Sequence, residues 1–230
     1  MTDYSAAFQR PFQDLKKLTI GAILNGIPFV NIVTSIIVTG YTAECARLTL
    51  KKNNNLPVWE MWGSLLKKGF LMMVIWGVYS IPLFLSILLL FFDNFEALLV
   101  MDPKDFLAEL VSHNWGAVLA VVAISIATWY FTFLAIIHYV ANDRFKEAFA
   151  WQLIFSRALT VPYVKAWVVA FVYTGLTGVI LQALLLTLPP ESVLIGLVYN
   201  LFSGYLTCVT AITSITLGTN AYIEIVKRRH

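Results

Sequence analysis

Charge is what this sequence has least of. Of its 230 residues only 16 are Lys or Arg and 13 are Asp or Glu, together 13%, where a soluble domain carries about 25%. So thin a supply cannot coat a water-exposed surface, which excludes an ordinary soluble domain. The net charge of +3 is small and dispersed, leaving no basic patch for nucleic acid. Cysteine is nearly absent too. Cys45 and Cys208 stand alone, without a CxxC or a nearby partner, so neither a disulfide framework nor a zinc site is expected. No Ala-x-Ala-like cleavage site follows the first apolar run, and the N-terminus is expected to be retained. A Gly-rich phosphate loop, a GxSxG elbow, an HExxH pair and paired carboxylates are all missing from credible positions. No catalytic residue, cofactor or metal is therefore assigned, and the chain is not expected to be an enzyme.

What is abundant is apolar surface, at 59% of residues. Five windows contain no Asp, Glu, Lys or Arg: 18–43, 69–92, 110–142, 166–190 and 192–223. Each exceeds the roughly 20 residues that cross a bilayer. The fourth and fifth are separated only around Pro189, Pro190 and Glu191, which reads as the tight turn of a helical hairpin. The expectation is an all-α fold: a polytopic transmembrane bundle of helical hairpins with interfacial amphipathic helices. Residues 1–17 read as a cytoplasmic amphipathic segment and 18–230 as one transmembrane domain.

Basic residues set the orientation, because cytoplasmic loops collect Lys and Arg. Arg47, Lys51, Lys52, Lys67 and Lys68 fall between the first two windows, Arg144, Lys146, Arg157 and Lys165 between the third and fourth, and Lys227, Arg228 and Arg229 in the tail. These segments belong inside a cell membrane, with a cytoplasmic C-terminus. Residues 93–109 hold Lys104 alone among five acids and belong outside. The first window is ambiguous. If it crosses once, Arg10, Lys16 and Lys17 lie outside; if it turns back, they join the other basic residues inside, as the charge rule prefers. Its middle carries Asn25, Gly26, Pro28 and Asn31, and Gly and Pro both weaken a helix. Twenty-six residues cannot cross twice, so a re-entrant or broken helix is expected.

The inner segments read as short amphipathic helices. Pro11 starts one with Phe12, Leu15 and Leu18 on its apolar side; Pro57 starts another with Trp59, Trp62, Leu65 and Leu66; Asn142 or Asp143 caps a third with Phe145, Phe149 and Leu153. Aromatic residues on one side and Lys or Arg on the other suit the headgroup boundary, although packing as ordinary core remains open. A loose repeat accompanies them, since Tyr41, Tyr139 and Tyr222 each precede a basic residue. Duplication and the common preference of emerging helices for interfacial Tyr explain it equally.

Tyr4, Ala7-Phe8, Pro11-Phe12-x-Asp14, Gly21, Gly40-Tyr41-x-x-Glu44-x-x-Arg47, Leu56-Pro57-x-Trp59-x-x-Trp62, Tyr139, Ala141, Phe145 and Ala148-Phe149 together resemble the prokaryotic membrane family called domain of unknown function 4013. The Leu-Pro-x-Trp-x-x-Trp element carries most of the resemblance. It implies a polytopic membrane protein and no activity.

The last window supplies the main candidate site. Gly196, Asn200, Gly204 and Cys208 recur every four residues, flanked by Ser203, Thr207, Thr210 and Ser214, with Thr174, Gly175, Thr177 and Gly178 as natural partners. Such a stripe serves either close helix packing or a hydroxyl-lined path. His113 and His138 read as interfacial hydrogen-bonding groups, Cys45 as structural, and the outer acids as a solvated loop. Lys227, Arg228 and Arg229 are expected to meet anionic headgroups. No ionisable side chain interrupts the windows, which argues against ion-coupled transport. The leading expectation is a non-enzymatic structural, scaffolding or membrane-organising protein whose partners are lipids and other copies of itself or subunits of a membrane complex. The alternative is a permease or channel component with its path along the last helix.

Overall fold

A computed structural model describes residues 4–27, 31–93, 102–188 and 193–227. Those residues are all-α. The helices are α1 (Tyr4–Gln9), α2 (Leu15–Gly26), α3 (Asn31–Leu50), α4 (Trp62–Tyr79), α5 (Ile81–Asp93), α6 (Pro103–His113), α7 (Trp115–Asn142), α8 (Trp151–Ala158), α9 (Val161–Thr187) and α10 (Val193–Lys227), with 3-10 turns at Arg10–Gln13 and Phe145–Phe149. α7, α9 and the stretch Leu194–Lys227 of α10 are long and apolar enough to cross a membrane. The described residues divide into two compact units, 1–73 with 134–230, and 74–133.

In the larger unit α10 is the element around which the others gather, touching α1, the Arg10–Gln13 turn, α2, α3 and α9. The first window forms two helices. α2 begins where the Asp14 carboxylate accepts from the Lys17 amide at 3.1 Å, an N-cap, and ends at Gly26. Its 12 residues rise only about 18 Å, roughly half the hydrocarbon thickness. α3 then folds back along it, with the Thr34 hydroxyl donating to the Leu24 carbonyl at 2.6 Å. At the far end of the pair, Trp59 bridges the two, donating to the Lys17 carbonyl at 2.8 Å and stacking on Tyr41 at 3.9 Å. The N-terminal segment and the loop after α3 therefore lie at the same end of this unit.

Two of the expected amphipathic helices take other forms. Pro11 opens only one 3-10 turn before Asp14 restarts the chain as α2, leaving Phe12 and Leu15 exposed while Leu18 is buried. Pro57 opens no helix. Residues 53–61 are irregular and α4 starts at Trp62, because carbonyls that a helix would use accept from side chains elsewhere in the unit, as described below. In the third segment a 3-10 turn carries Phe145 and Phe149, and α8 follows without a side-chain cap from Asn142 or Asp143.

The second window, whose residues from 74 onward belong to the smaller unit, is one run of sequence but two helices. α4 and α5 meet at Ser80 with a bend of 51°. Pro82 lacks the amide that would close the turn onto Val78, and its ring crowds that turn, which is the usual cause of such a kink. Of the 93–109 segment, expected outside, residues 103–109 are helical as part of α6, and the third window is interrupted at Asn114 before α7 begins. The hairpin turn at Pro189 and Pro190 lies outside the described residues.

The shared end of α1 and the 51–61 loop generates a prediction. Single cysteines replacing Ser5 and Lys52, both exposed, will react with a membrane-impermeant maleimide from the same side of sealed vesicles. Labelling from opposite sides would mean that the first window crosses the membrane.

Candidate functional site

Glycine decides how closely α2 lies on α10. A Cβ on Gly26 would sit 2.8 Å from the Asn200 carbonyl oxygen and 2.9 Å from the Leu201 Cα, and one on Gly204 would come within 2.8 Å of the Gly26 nitrogen. One turn further, Cys208 Sγ lies 2.6 Å from where a Gly21 Cβ would be. Backbone meets backbone here, with no space for a side chain. A second such contact joins α3 to α4, where side chains on Gly40 and Gly69 would collide with the Leu65 and Ile36 carbonyls.

The predicted stripe on the last helix consequently splits into two halves. Gly204, Cys208, Thr210 and Ser214 are buried, as are Thr213, Thr216 and Thr219 beyond them. The Thr210 and Thr177 hydroxyls meet at 3.1 Å, and Thr216 and Thr219 donate to the Ile212 and Ile215 carbonyls. Asn200 and Ser203 are half-buried, whereas Gly196 and Thr207 are exposed and nothing lies within 4 Å of a Gly196 Cβ. Gly175 and Gly178 on α9 are equally open. At the helix break, Asn25 is half-buried and Gly26 buried; Pro28 and the Asn31 side chain lie outside the described residues. Of the aromatic quartet, Trp59 is buried under Tyr41, Trp62 and Phe145 are exposed, and Phe149 is half-buried against Phe145 at 5.2 Å. Lys227 is exposed at the end of α10, and Arg228 and Arg229 lie outside the described residues.

Sequence reasoning missed the group that organises this end of the unit. Arg10 is fully buried. Its Nε donates to the Asn54 carbonyl at 3.0 Å, Nη2 donates to the carbonyls of Cys45 and Asn55 at 3.0 and 3.2 Å, and Nη1 donates to the hydroxyls of Thr49 and Thr216. All five guanidinium donors are thus used, and none goes to a carboxylate. Burial pulls the Arg10 pKa below its ordinary value, yet a guanidinium starts so high that it stays charged. Lys17 Nζ donates to the Leu56 carbonyl at 2.8 Å and the Tyr41 hydroxyl to the Pro57 carbonyl at 3.1 Å. Four consecutive carbonyls, Asn54 to Pro57, therefore accept from side chains, and this is what keeps the loop from continuing as helix. A run of Asn before Leu-Pro, with basic residues elsewhere to supply donors, was the only signal available.

A second polar cluster surrounds His138. Its Nδ1 faces the Tyr222 hydroxyl at 2.7 Å, Asn142 Nδ2 at 3.0 Å and Arg157 Nη1 at 3.0 Å. Two of those are obligate donors, so Nδ1 is assigned as the acceptor and the proton to Nε2, which points to Glu147 at 3.9 Å. Arg157 also donates to the Tyr222 hydroxyl and lies 4.8 Å from its ring centroid. The expected hydrogen-bonding role of His138 is thus part of a buried tie between α7, α8 and α10. Nearby, Glu44 pairs with Lys68, and Arg47 with Asp143 at 3.2 Å. Among the described residues no group of three or more His, Cys, Asp or Glu is arranged to hold a metal ion.

A family whose members are described as proteins of unknown function (DUF4013) matches residues 21–188. The chain belongs to this family. The match takes in the Leu-Pro-x-Trp-x-x-Trp loop and its Tyr41 partner, but leaves Arg10, Lys17 and all of α10 outside its limits. No curated protein and no solved structure matches the chain.

Two outcomes are expected of substitutions here. Gly204→Val will lower the thermal midpoint in detergent, at a cost of about 2 kcal/mol from overpacking, while Gly196→Val, on the open half of the same stripe, will leave it unchanged. Arg10→Ala removes the donor from the buried Cys45 carbonyl and from the part-buried Asn54 and Asn55 carbonyls and will cost on the order of 3 kcal/mol; Arg10→Lys, with three donors on one nitrogen, will recover only part. Proteolysis in the 51–61 loop measured beside the thermal midpoint will report the Arg10 loss as early cleavage.

Proposed function

We propose that this member of the family is a non-enzymatic membrane-organising or scaffolding protein that works through contact with lipid and with further copies of itself. The observation that carries the reading is the burial of the α10 hydroxyl row from Thr210 to Thr219 against neighbouring helices. Hydroxyls that donate to their own helix and to Thr177 are consumed in packing, whereas a permeation path would need them open to water. The open glycines of α9 and α10 support self-association, because small residues are where membrane helices approach one another. Large apolar side chains around them, including Leu176, Val179, Leu197 and Val198, are exposed and suit lipid or a second helix.

The test is reconstitution of the full chain into liposomes loaded with dyes of graded size, together with cysteine cross-linking at Gly178 and Gly196. The reading expects disulfide-linked dimers or higher species through one or both positions, and retention of the dyes. Monomeric protein that releases a small dye, with release blocked by Thr210→Leu, would replace it with the permease reading.

A further inference from the structure

The ends of α3 and α10 enclose a cleft of about 260 Å³, lined among others by Thr49, Lys52, Asn54, Asn220, Glu224 and Lys227. Directly behind Thr49 lies the buried Arg10 guanidinium, whose donors are spent on carbonyls and hydroxyls and whose charge no hydrogen-bonded carboxylate offsets. Counting Arg10, Lys52 and Lys227 against Glu224, the cleft and its wall carry an excess of two positive charges. Lys52 ends α3 in the left-handed conformation of a Schellman cap, with φ at 58°, its amide donating to the Thr49 carbonyl at 2.8 Å and the Asn53 amide to the Leu48 carbonyl at 2.9 Å, so the cap sets where its side chain leaves the helix end.

We propose that this cleft binds a phosphate-bearing anion, the headgroup of an anionic phospholipid. Lys52 and Lys227 are the exposed cations that meet the phosphate; Asn54 and Asn220 offer amide donors to its oxygens; Arg10 acts through its field alone, since its own donors are occupied. The volume far exceeds that of a single water. The same end of the unit holds the basic segments Arg47–Lys52 and Lys227, the charge that gathers at an anionic leaflet surface. The assignment goes beyond the scaffolding reading and does not depend on it, because a permease could hold a lipid here equally well.

Native mass spectrometry of the full chain released from nanodiscs of equal phosphatidylglycerol and phosphatidylcholine tests it. The unaltered protein is expected to retain phosphatidylglycerol about tenfold over phosphatidylcholine, and the pair Lys52→Gln with Lys227→Gln to fall to parity. Both lysines are exposed, so the variant will fold. The control pair Lys16→Gln with Lys165→Gln, exposed lysines that do not line the cleft, will keep the preference. Equal losses in the two pairs, or no preference in the unaltered protein, would overturn the site. Adding inorganic phosphate separates the sources: lipid that stays bound assigns the cleft to a headgroup, and lipid released at millimolar phosphate assigns it to a soluble phosphate compound.

Discussion

The loop from Asn54 to Pro57 has four carbonyls in a row and no backbone partner for any of them, and the larger unit is arranged around satisfying that need. Arg10 takes two, Lys17 one and Tyr41 one. Each donor comes from an element that must first be in place: the 3-10 turn, the start of α2 and the middle of α3. The same contacts seat Trp59 between Lys17 and Tyr41. Arg10 extends the tie to α10 through Thr216 and to the end of α3 through Cys45 and Thr49. One buried cation therefore fixes the N-terminus, the hairpin, the loop and the central helix relative to one another. Burying a charge is costly unless its donors are matched, and here all five are.

The second constraint is the short α2. It ends after 12 residues, and the last carbonyls of a helix have no partner within it, so they need cover from elsewhere in the unit. α10 provides that cover, and glycines at 26 and 204 allow it at backbone contact. Thr34 supplies a donor to Leu24 near the turn, serving the group that the broken helix leaves free. The small residues of the last helix thus do for α2 what the Arg10 network does for the loop. Each gives partners or cover to backbone groups that the local chain leaves without them.

These two devices differ in how legible they were. Charge-free windows mark α7, α9 and α10, because the requirement for apolar length is written in composition. Gly26 likewise marks the end of α2, and the spacing of Gly204 and Cys208 marks a packing face. The kink at Ser80 was missed although Pro82 stands in plain view, since the window around it is uniformly apolar and periodicity gives no sign of the bend. Trp59 was placed on an interfacial helix because its spacing to Trp62 and Leu66 fits one; tertiary donors to the preceding carbonyls overrode that local pattern. Arg10 was read as one more basic residue of an exposed segment. Only the three-dimensional coincidence of Thr49, Thr216 and three carbonyls makes a buried site of it, and no spacing along the chain records that coincidence.

That distinction bears on what the family assignment describes. The matched stretch, residues 21–188, contains the Leu-Pro-x-Trp-x-x-Trp loop but excludes two of the three side chains that satisfy its carbonyls, and it excludes the helix that covers α2. Cut out alone, it would leave the Asn54, Asn55 and Leu56 carbonyls without donors and uncover the Gly26 end of α2. Asn54 and Asn55 are exposed, so water takes over their carbonyls, whereas the carbonyl of the buried Leu56, left without its donor, costs about 1–3 kcal/mol. The flanks therefore belong to the same compact unit as residues 21–73 and 134–188 of the matched stretch. A family member whose loop keeps this form must draw donors for it, and a cover for its half-length helix, from segments beyond the matched boundaries.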